Sequence, residues 1–434
     1  MDTILQNKDT FVVSGFDGEP KLSGEVSING AKNAALPLMA AAFLFDNEVS
    51  FSNFPEIEDV KRMSELMEAL GAKIKTEGDF ISIDASKAEG IALDRMISKK
   101  LRASVIITGP MLTKLKEVKF PHPGGCVIGA RPIDFFIEGF IKMGAEYSSD
   151  EEWNMLSLKE GKMRGAEIFF PMPSVTGTES LMMAAVLAQG TTKIENAAME
   201  PEVVDLANFL ISGGARIDGA GTPTITINGG ELLHFEGEPY KVIPDRIEAG
   251  SFVILGAVAA KELVVKNCDT NHLLSLYFSL KRTGIPIEIS RNEVRVSFPG
   301  EGKIEAMNIK THEYPGFPTD LQAPMSVLLT QAKGQSLVFE TIFDGRLNYS
   351  DDLIKMGANI MVLDAHRMMI NGPTKLRGRN LAGPDLRAGL AFLIAGIIAR
   401  GQSVHDNIYY IDRGYQNIEG KLRGLGAEIK RIKA

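Results

Sequence analysis

One phrase returns along this chain: a helical stretch, then Gly-Ala-X-Ile, then a short β-prone run. It stands at Gly71-Ala72-Lys73-Ile74, Gly214-Ala215-Arg216-Ile217, Gly357-Ala358-Asn359-Ile360 and Gly426-Ala427-Glu428-Ile429. Variant copies are Gly144-Ala145-Glu146-Tyr147 and Gly284-Ile285-Pro286-Ile287. The six glycines lie 73, 70, 70, 73 and 69 residues apart. A helix that ends by turning through positive φ into a strand explains a glycine at each position. Before the glycines, Val60, Met63, Leu66, Met67 and Leu70 recur at helical spacing, as do Val203, Leu206, Phe209 and Leu210.

Upstream of each such helix lies a β-rich run, at 48–54, 117–120, 191–195, 262–266, 336–340 and 402–405. Further upstream sits a second helix, at 33–44, 102–112, 178–188, 248–259, 321–331 and 386–399. These second helices are apolar nearly all round, which marks them as buried. The pattern predicts an α/β chain of six units of about 70 residues, three to each of two domains. The expected domains are 1–30 plus 243–434, holding both termini, and 31–242. The leading strand at 21–28 is expected to complete the last unit.

Composition excludes several classes. The 434 residues are 44% apolar and 24% charged, a globular mix. The net charge of −8 argues against general binding to nucleic acid or an anionic membrane. Cys126 and Cys268 cannot form a disulfide framework, and six scattered histidines lack metal-ligand spacing. No signal peptide opens the chain, and no apolar run approaches the ~18 residues of a membrane helix. The expectation is a cytoplasmic protein with no metal, no cofactor and no membrane insertion, acting as a monomer.

Polar residues collect where the buried helices begin. Lys32-Asn33, Arg102, Ser174-Val175-Thr176, Asp245-Arg246, Thr319-Asp320 and Asp385-Leu386-Arg387 all stand there. Arg131, Arg346 and Arg413 follow the strands. Each alone reads as capping or solvated surface charge. Their recurrence at matched positions favours a shared anion site at the domain interface. The loop Pro121 to Pro132 is rich in Gly and Pro and carries Cys126, with Arg131 five residues on, a setting that lowers a thiol pKa. Cys268 reads as a buried hydrophobe. Asp320 and Asp385 are each either a helix cap or a functional acid.

These residues resemble the UDP-N-acetylglucosamine enolpyruvyl transferases over nearly the whole chain, from about Gly24 to Lys430. The motifs are Ile28 to Pro37, Pro123 to Pro132, Ile194 to Glu202, Pro244 to Glu248, Phe317 to Asp320 and Ile411 to Tyr415. The resemblance implies the inside-out α/β barrel pair of the enolpyruvyl transferase fold, closing over its substrate. It implies transfer of the enolpyruvyl group of phosphoenolpyruvate to the 3′-hydroxyl of UDP-N-acetylglucosamine. Phosphate leaves by addition and elimination through a tetrahedral ketal. This is the first committed step of bacterial peptidoglycan synthesis.

By the same resemblance, Lys32, Arg131 and Arg413 hold phosphoenolpyruvate, with Arg102 and Arg387 close by. Cys126 is the general acid toward the methylene carbon, can bond covalently to substrate and should react with the epoxide fosfomycin. Asp320 deprotonates the sugar hydroxyl, and Asn33 contacts the sugar or the ketal. The nucleotide side would meet Arg131, Pro132, Ile133, Asp134, Phe135, Ser174, Val175, Thr176 and Ile342, and the substrate set extends to Arg346 and Asp385. The chain departs from the family pattern at Phe136, where many members have His. It departs again at Ser174-Val175-Thr176-Gly177 and at Asp344-Gly345-Arg346. Two other readings are the sister enzyme acting on shikimate 3-phosphate and a silent paralogue that binds nucleotide sugar. A third, a nucleic-acid end-processing enzyme of related repeat fold, would want basic patches and a nucleotide-reactive histidine that this sequence does not offer.

Overall fold

A computed structural model describes residues 9–17, 19–122, 133–159 and 161–433. The chain packs into two compact lobes. Of the described residues, lobe I holds those up to 29 and from 244 onward, and lobe II those of 30–243.

The recurring glycines end helices as the sequence predicts. Gly71, Gly144, Gly214, Gly284, Gly357 and Gly426 have φ of 100°, 97°, 103°, 81°, 103° and 98°. The same two hydrogen bonds close each helix. At the first, Gly71 N donates to Glu68 O and Ala72 N to Met67 O, and at the last Gly426 N donates to Arg423 O and Ala427 N to Leu422 O. This is the Schellman closure, which needs φ > 0 at the glycine. The small residue that follows is tucked inward: Ala72, Ala145, Ala358 and Ala427 are all buried.

Each lobe is centred on apolar helices. In lobe I these are Arg246–Ala259, Gln322–Leu329 and Leu386–Ile398, each packed on the other two. In lobe II they are Lys32–Ala41, Thr108–Leu115 and Val175–Val186. The 102–112 helix expected from the sequence begins as a 3-10 turn, Arg102–Ile107, before the α-helix.

Among the described residues there are six sheets, three in each lobe. Five share one order. A leading strand runs parallel to the strand that follows the buried helix. That strand pairs antiparallel with an inner strand, which pairs antiparallel with the strand after the Gly closure. The sixth sheet, holding Glu117–Pro121, has three strands and a single parallel bridge from Ala92 to Lys119 in place of the leading strand.

The N-terminus corrects one expectation. The strand Leu22–Ser27 does not complete the last unit. It runs parallel to Ala260–Lys266, the strand after the fourth buried helix. Tyr240–Lys241, which precedes that fourth helix, instead runs parallel to Val49–Ser52 after the first. The two leading strands are thus exchanged where the chain passes between lobes. The last sheet is completed by Thr10–Ser14, which lies between Gln402–Asp406 and Glu428–Ile432. Sequence order suggests neighbours, but strand pairing goes to whichever edge is open, and Tyr240–Lys241 already occupies the edge of Val49–Ser52.

No helix among the described residues is long and apolar enough to cross a membrane. Cys268 is a buried free thiol, pushed up to about 11 by burial, as its hydrophobic reading expects.

Candidate functional site

The lobe I cluster begins at a turn-rich lead into a buried helix. Thr319–Leu321 forms a single 3-10 turn before Gln322–Leu329. Asp320 projects from it, and both carboxylate oxygens are engaged. Arg346 Nη2 donates to Oδ1 at 2.7 Å. Arg387 reaches Oδ2 with Nε at 3.0 Å and Nη2 at 2.9 Å. The two arginine side chains are only 4% and 5% exposed, against 24% for Asp320. Burial opposes the charge on Arg387, but Asp320, Tyr415 and Asp245 outweigh it and hold the guanidinium more firmly charged than usual. Two guanidiniums on one carboxylate leave a surplus positive charge facing a partly open carboxylate, which suits an anionic ligand.

Neighbouring residues hold this cluster in place. Asp385 caps the helix Leu386–Ile398, accepting from Arg387 N at 2.7 Å and Ala388 N at 3.1 Å. Its capping reading holds, and the cap contributes about 1 kcal/mol. Tyr415 Oη accepts from Arg387 Nη1 at 2.9 Å. Arg413 ends the short helix Tyr409–Asp412 and is half-buried, two residues before Tyr415. Asp412 is taken by Arg431 in a bidentate pair at 2.7 and 2.9 Å.

Glu340 was not singled out from the sequence. It is fully buried. It accepts from Thr319 Oγ1 at 2.9 Å, Ile342 N at 2.8 Å and Phe343 N at 3.2 Å. It therefore ties the loop bearing Ile342 and Arg346 to the turn bearing Asp320. Its only sequence signal is a charged residue at the end of an apolar strand.

Lobe II carries the other residues. Lys32 is the first residue of its helix, and its Nζ meets Asp59 at 3.0 Å, with Asp59 2% exposed. Asn33 follows, half-buried. Arg102 opens its 3-10 turn and is half-buried. Ser174 caps Val175–Val186 by accepting from Gly177 N at 3.1 Å, which leaves Val175 and Thr176 in the first turn of a buried helix. Helix N-termini of this kind favour phosphate oxygens. Ile133 and Phe135 are half-buried and Asp134 is exposed at the start of Asp134–Lys142. Phe136 is core, 3% exposed and edge-on to Phe140 at 5.9 Å, so this departure from the family pattern serves packing. Cys126, Arg131 and Pro132 lie outside the described residues.

One acid in lobe II stands apart. Glu179 is 3% exposed, and its Oε1 meets no hydrogen-bond partner among the described residues. Burial pushes its carboxyl well above the usual range, and Glu202 and Glu200 add like charge. Its folded pKa lies above the unfolded value, so the stability tied to its proton is complete below about pH 4.3. That stability is lost as pH rises through the folded value. Glu179→Gln is expected to flatten the fall in unfolding temperature from about pH 5 to 9 and to match or exceed the parent above about pH 8. Thermal unfolding across that range checks it; an unchanged slope would show that Glu179 sheds its proton freely in the fold.

The family model for EPSP synthase (3-phosphoshikimate 1-carboxyvinyltransferase) matches residues 16–422. A UDP-N-acetylglucosamine 1-carboxyvinyltransferase of Koribacter versatilis is 43% identical over 98% of this chain and 96% of that protein. One of Halothermothrix orenii is 42% identical over 98% of this chain and 99% of its own length. Among solved structures, the enolpyruvyl transferase NikO from Streptomyces tendae superposes with a TM-score of 0.88 at 21% identity, covering 99% of this chain and 100% of that one. EPSP synthase from Acinetobacter baumannii gives 0.73 at 16% identity, covering 98% and 100%. The distant structures share the fold, while the sequence relatives match along nearly the whole chain. The chain therefore belongs to the EPSP synthase family and, within it, to the UDP-N-acetylglucosamine 1-carboxyvinyltransferases.

Proposed function

We propose that this protein transfers the enolpyruvyl group of phosphoenolpyruvate to the 3′-hydroxyl of UDP-N-acetylglucosamine, with release of phosphate. The observation that carries this reading is identity above 40% to UDP-N-acetylglucosamine 1-carboxyvinyltransferases along nearly the full chain. In the proposed route, Asp320 takes the hydroxyl proton as the sugar oxygen bonds to the central carbon of phosphoenolpyruvate. Cys126 delivers a proton to the methylene carbon, giving a tetrahedral ketal that still carries phosphate. Loss of a methyl proton and cleavage of the carbon–phosphate oxygen bond restore the double bond and release phosphate.

Phosphoenolpyruvate brings a phosphate and a carboxylate, so it needs several fixed cations. Lys32, Arg102 and Arg131 of lobe II and Arg387 and Arg413 of lobe I are proposed to serve it. Preorganised charge of this kind also stabilises charge that develops during addition. The N-terminus of Val175–Val186, with Ser174, Val175 and Thr176, is proposed to serve the diphosphate of the nucleotide sugar, and Ile342 its uridine side. The product would feed bacterial cell-wall synthesis in the cytoplasm.

The fold is read as an inside-out α/β barrel pair built from six copies of one unit, with domains at 1–30 plus 243–434 and 31–242. Three sheets in each lobe, five of one strand order, and six identical helix closures support this.

The test supplies phosphoenolpyruvate with either UDP-N-acetylglucosamine or shikimate 3-phosphate and measures phosphate release. Release with the nucleotide sugar alone is the expected result, and release only with shikimate 3-phosphate would overturn the assignment. A related expectation concerns the thiol: Cys126→Ala should abolish time-dependent inactivation by fosfomycin. Inactivation at the parent rate would exclude Cys126 as the reactive group.

A further inference from the structure

We propose that Asp320 is an internal competitor for the substrate anion, and that the anion's arrival frees Asp320 to act as a base. The proposal rests on the reading that phosphoenolpyruvate is held by lobe I cations including Arg387. Three observations on the cluster lead to it.

Every charge-assisted bond that Asp320 makes to Arg387 falls on one oxygen. Nε donates to Oδ2 at 3.0 Å and Nη2 is ion-paired with the same oxygen at 2.9 Å, while Arg346 Nη2 donates to Oδ1 at 2.7 Å. The guanidinium edge of Arg387 therefore covers Oδ2, with one hydrogen bond and one close ion-pair contact. A hydroxyl proton reaches that oxygen only when Arg387 gives up its hold.

Arg387 is also the cation best placed to change partners. Its Nη1 is fixed independently by Tyr415 Oη at 2.9 Å, and its backbone N is held by Asp385 at 2.7 Å. The side chain thus stays in position when the Asp320 contacts are exchanged for those of a ligand. Asp320 itself is anchored on its other oxygen by Arg346, so it does not drift when Arg387 is drawn away.

Charge completes the argument. With Asp320 ionised, its charge offsets one of the two buried guanidiniums that face an incoming anion, beside the charge that Asp245 already sets against Arg387. Without that carboxylate the offset is lost and the pull on the anion is stronger by one charge. An anion that replaces Asp320 on Arg387 meets a donor fork already aligned for a carboxylate or phosphate. The same event opens Oδ2 toward the acceptor hydroxyl, so the base is unmasked only when the enolpyruvyl donor is bound.

The test measures binding of phosphoenolpyruvate, and separately of inorganic phosphate, to parent and Asp320→Asn enzyme by calorimetry. Asparagine removes the competing charge and keeps the shape. The expected result is tighter binding to the variant, about tenfold for either anion. Binding equal to or weaker than the parent's would overturn the exchange. The parent's turnover of phosphoenolpyruvate with UDP-N-acetylglucosamine is measured in parallel. A parent without turnover condemns the functional reading, whereas a turning-over parent with no gain in the variant condemns only the exchange. The variant is purified in phosphate and then transferred to anion-free buffer. Unfolding that phosphate reverses supports the proposal, since the anion then replaces the missing carboxylate. Unfolding that phosphate does not reverse counts against it.

Discussion

Asp320→Asn is expected to lower kcat by about 10²–10⁴-fold, the usual range for losing a general base. The KM for UDP-N-acetylglucosamine should move far less. The physical basis is where Asp320 sits. It is anchored by two buried arginines and is a quarter exposed, at the start of the helix Gln322–Leu329. Asparagine is nearly isosteric and keeps an acceptor for Arg346, so the surrounding turn retains its shape. What it loses is the ability to take a proton. Steady-state kinetics with both substrates varied separates the two roles. A kcat within threefold of the parent with a greatly raised KM would make Asp320 a binding residue and remove it from the chemistry.

Lys421→Met is expected to destabilise lobe I by about 3–5 kcal/mol, because it strips the partner from a buried carboxylate. Lys421 Nζ bonds Glu248 Oε1 at 2.6 Å, with Glu248 3% and Lys421 14% exposed. Lys421 also bonds the side chain of Asn29, while Asn29 N donates to Glu248 Oε2 at 3.1 Å and Asp245 N donates to Asn29 O at 2.9 Å. Residues 29 and 245 flank the two places where the chain passes between lobes, so this network fixes both passages in lobe I. Methionine retains the apolar stem and removes the charge together with its hydrogen bonds to Glu248 and Asn29.

Burial already raises the Glu248 carboxyl, and Lys421 is what pulls it back. Removing Lys421 raises it further. The loss of stability should therefore be largest above neutral pH and shrink as the pH falls toward about 4.3, where the unfolded carboxyl also takes up its proton. In thermal unfolding at about pH 8 the drop corresponds to roughly 6–20 °C. The double variant Lys421→Met, Glu248→Gln should recover most of it. No recovery would place the loss in packing of the lysine stem rather than in the stranded charge.

How much of this was legible in sequence depends on the range of each interaction. The six helix closures were readable because their cause is local: a C′ residue needs positive φ, and glycine supplies it within one turn of the helix it ends. The buried helices were readable from composition alone. Asp320 and Arg387 could be chosen from motif and repeat position. That they touch could not, since 67 residues separate them. Glu340 and Asp59 escaped notice for a related reason. A lone acid at a strand end or in a first helical turn carries no mark of the partner it will meet.

By itself, then, the sequence determined the periodic frame: where helices end, which helices are buried, and at which recurring positions charge can gather. Those properties follow from backbone conformation and from the apolar character of neighbouring residues, both set within a few positions along the chain. Only the tertiary structure decided the rest. It exchanged the leading strands Leu22–Ser27 and Tyr240–Lys241 and set Thr10–Ser14 into the final sheet. It also placed one carboxylate between two buried guanidiniums. Open strand edges and unpaired charges are satisfied by whatever packing brings near, and that selection is made in space rather than along the chain.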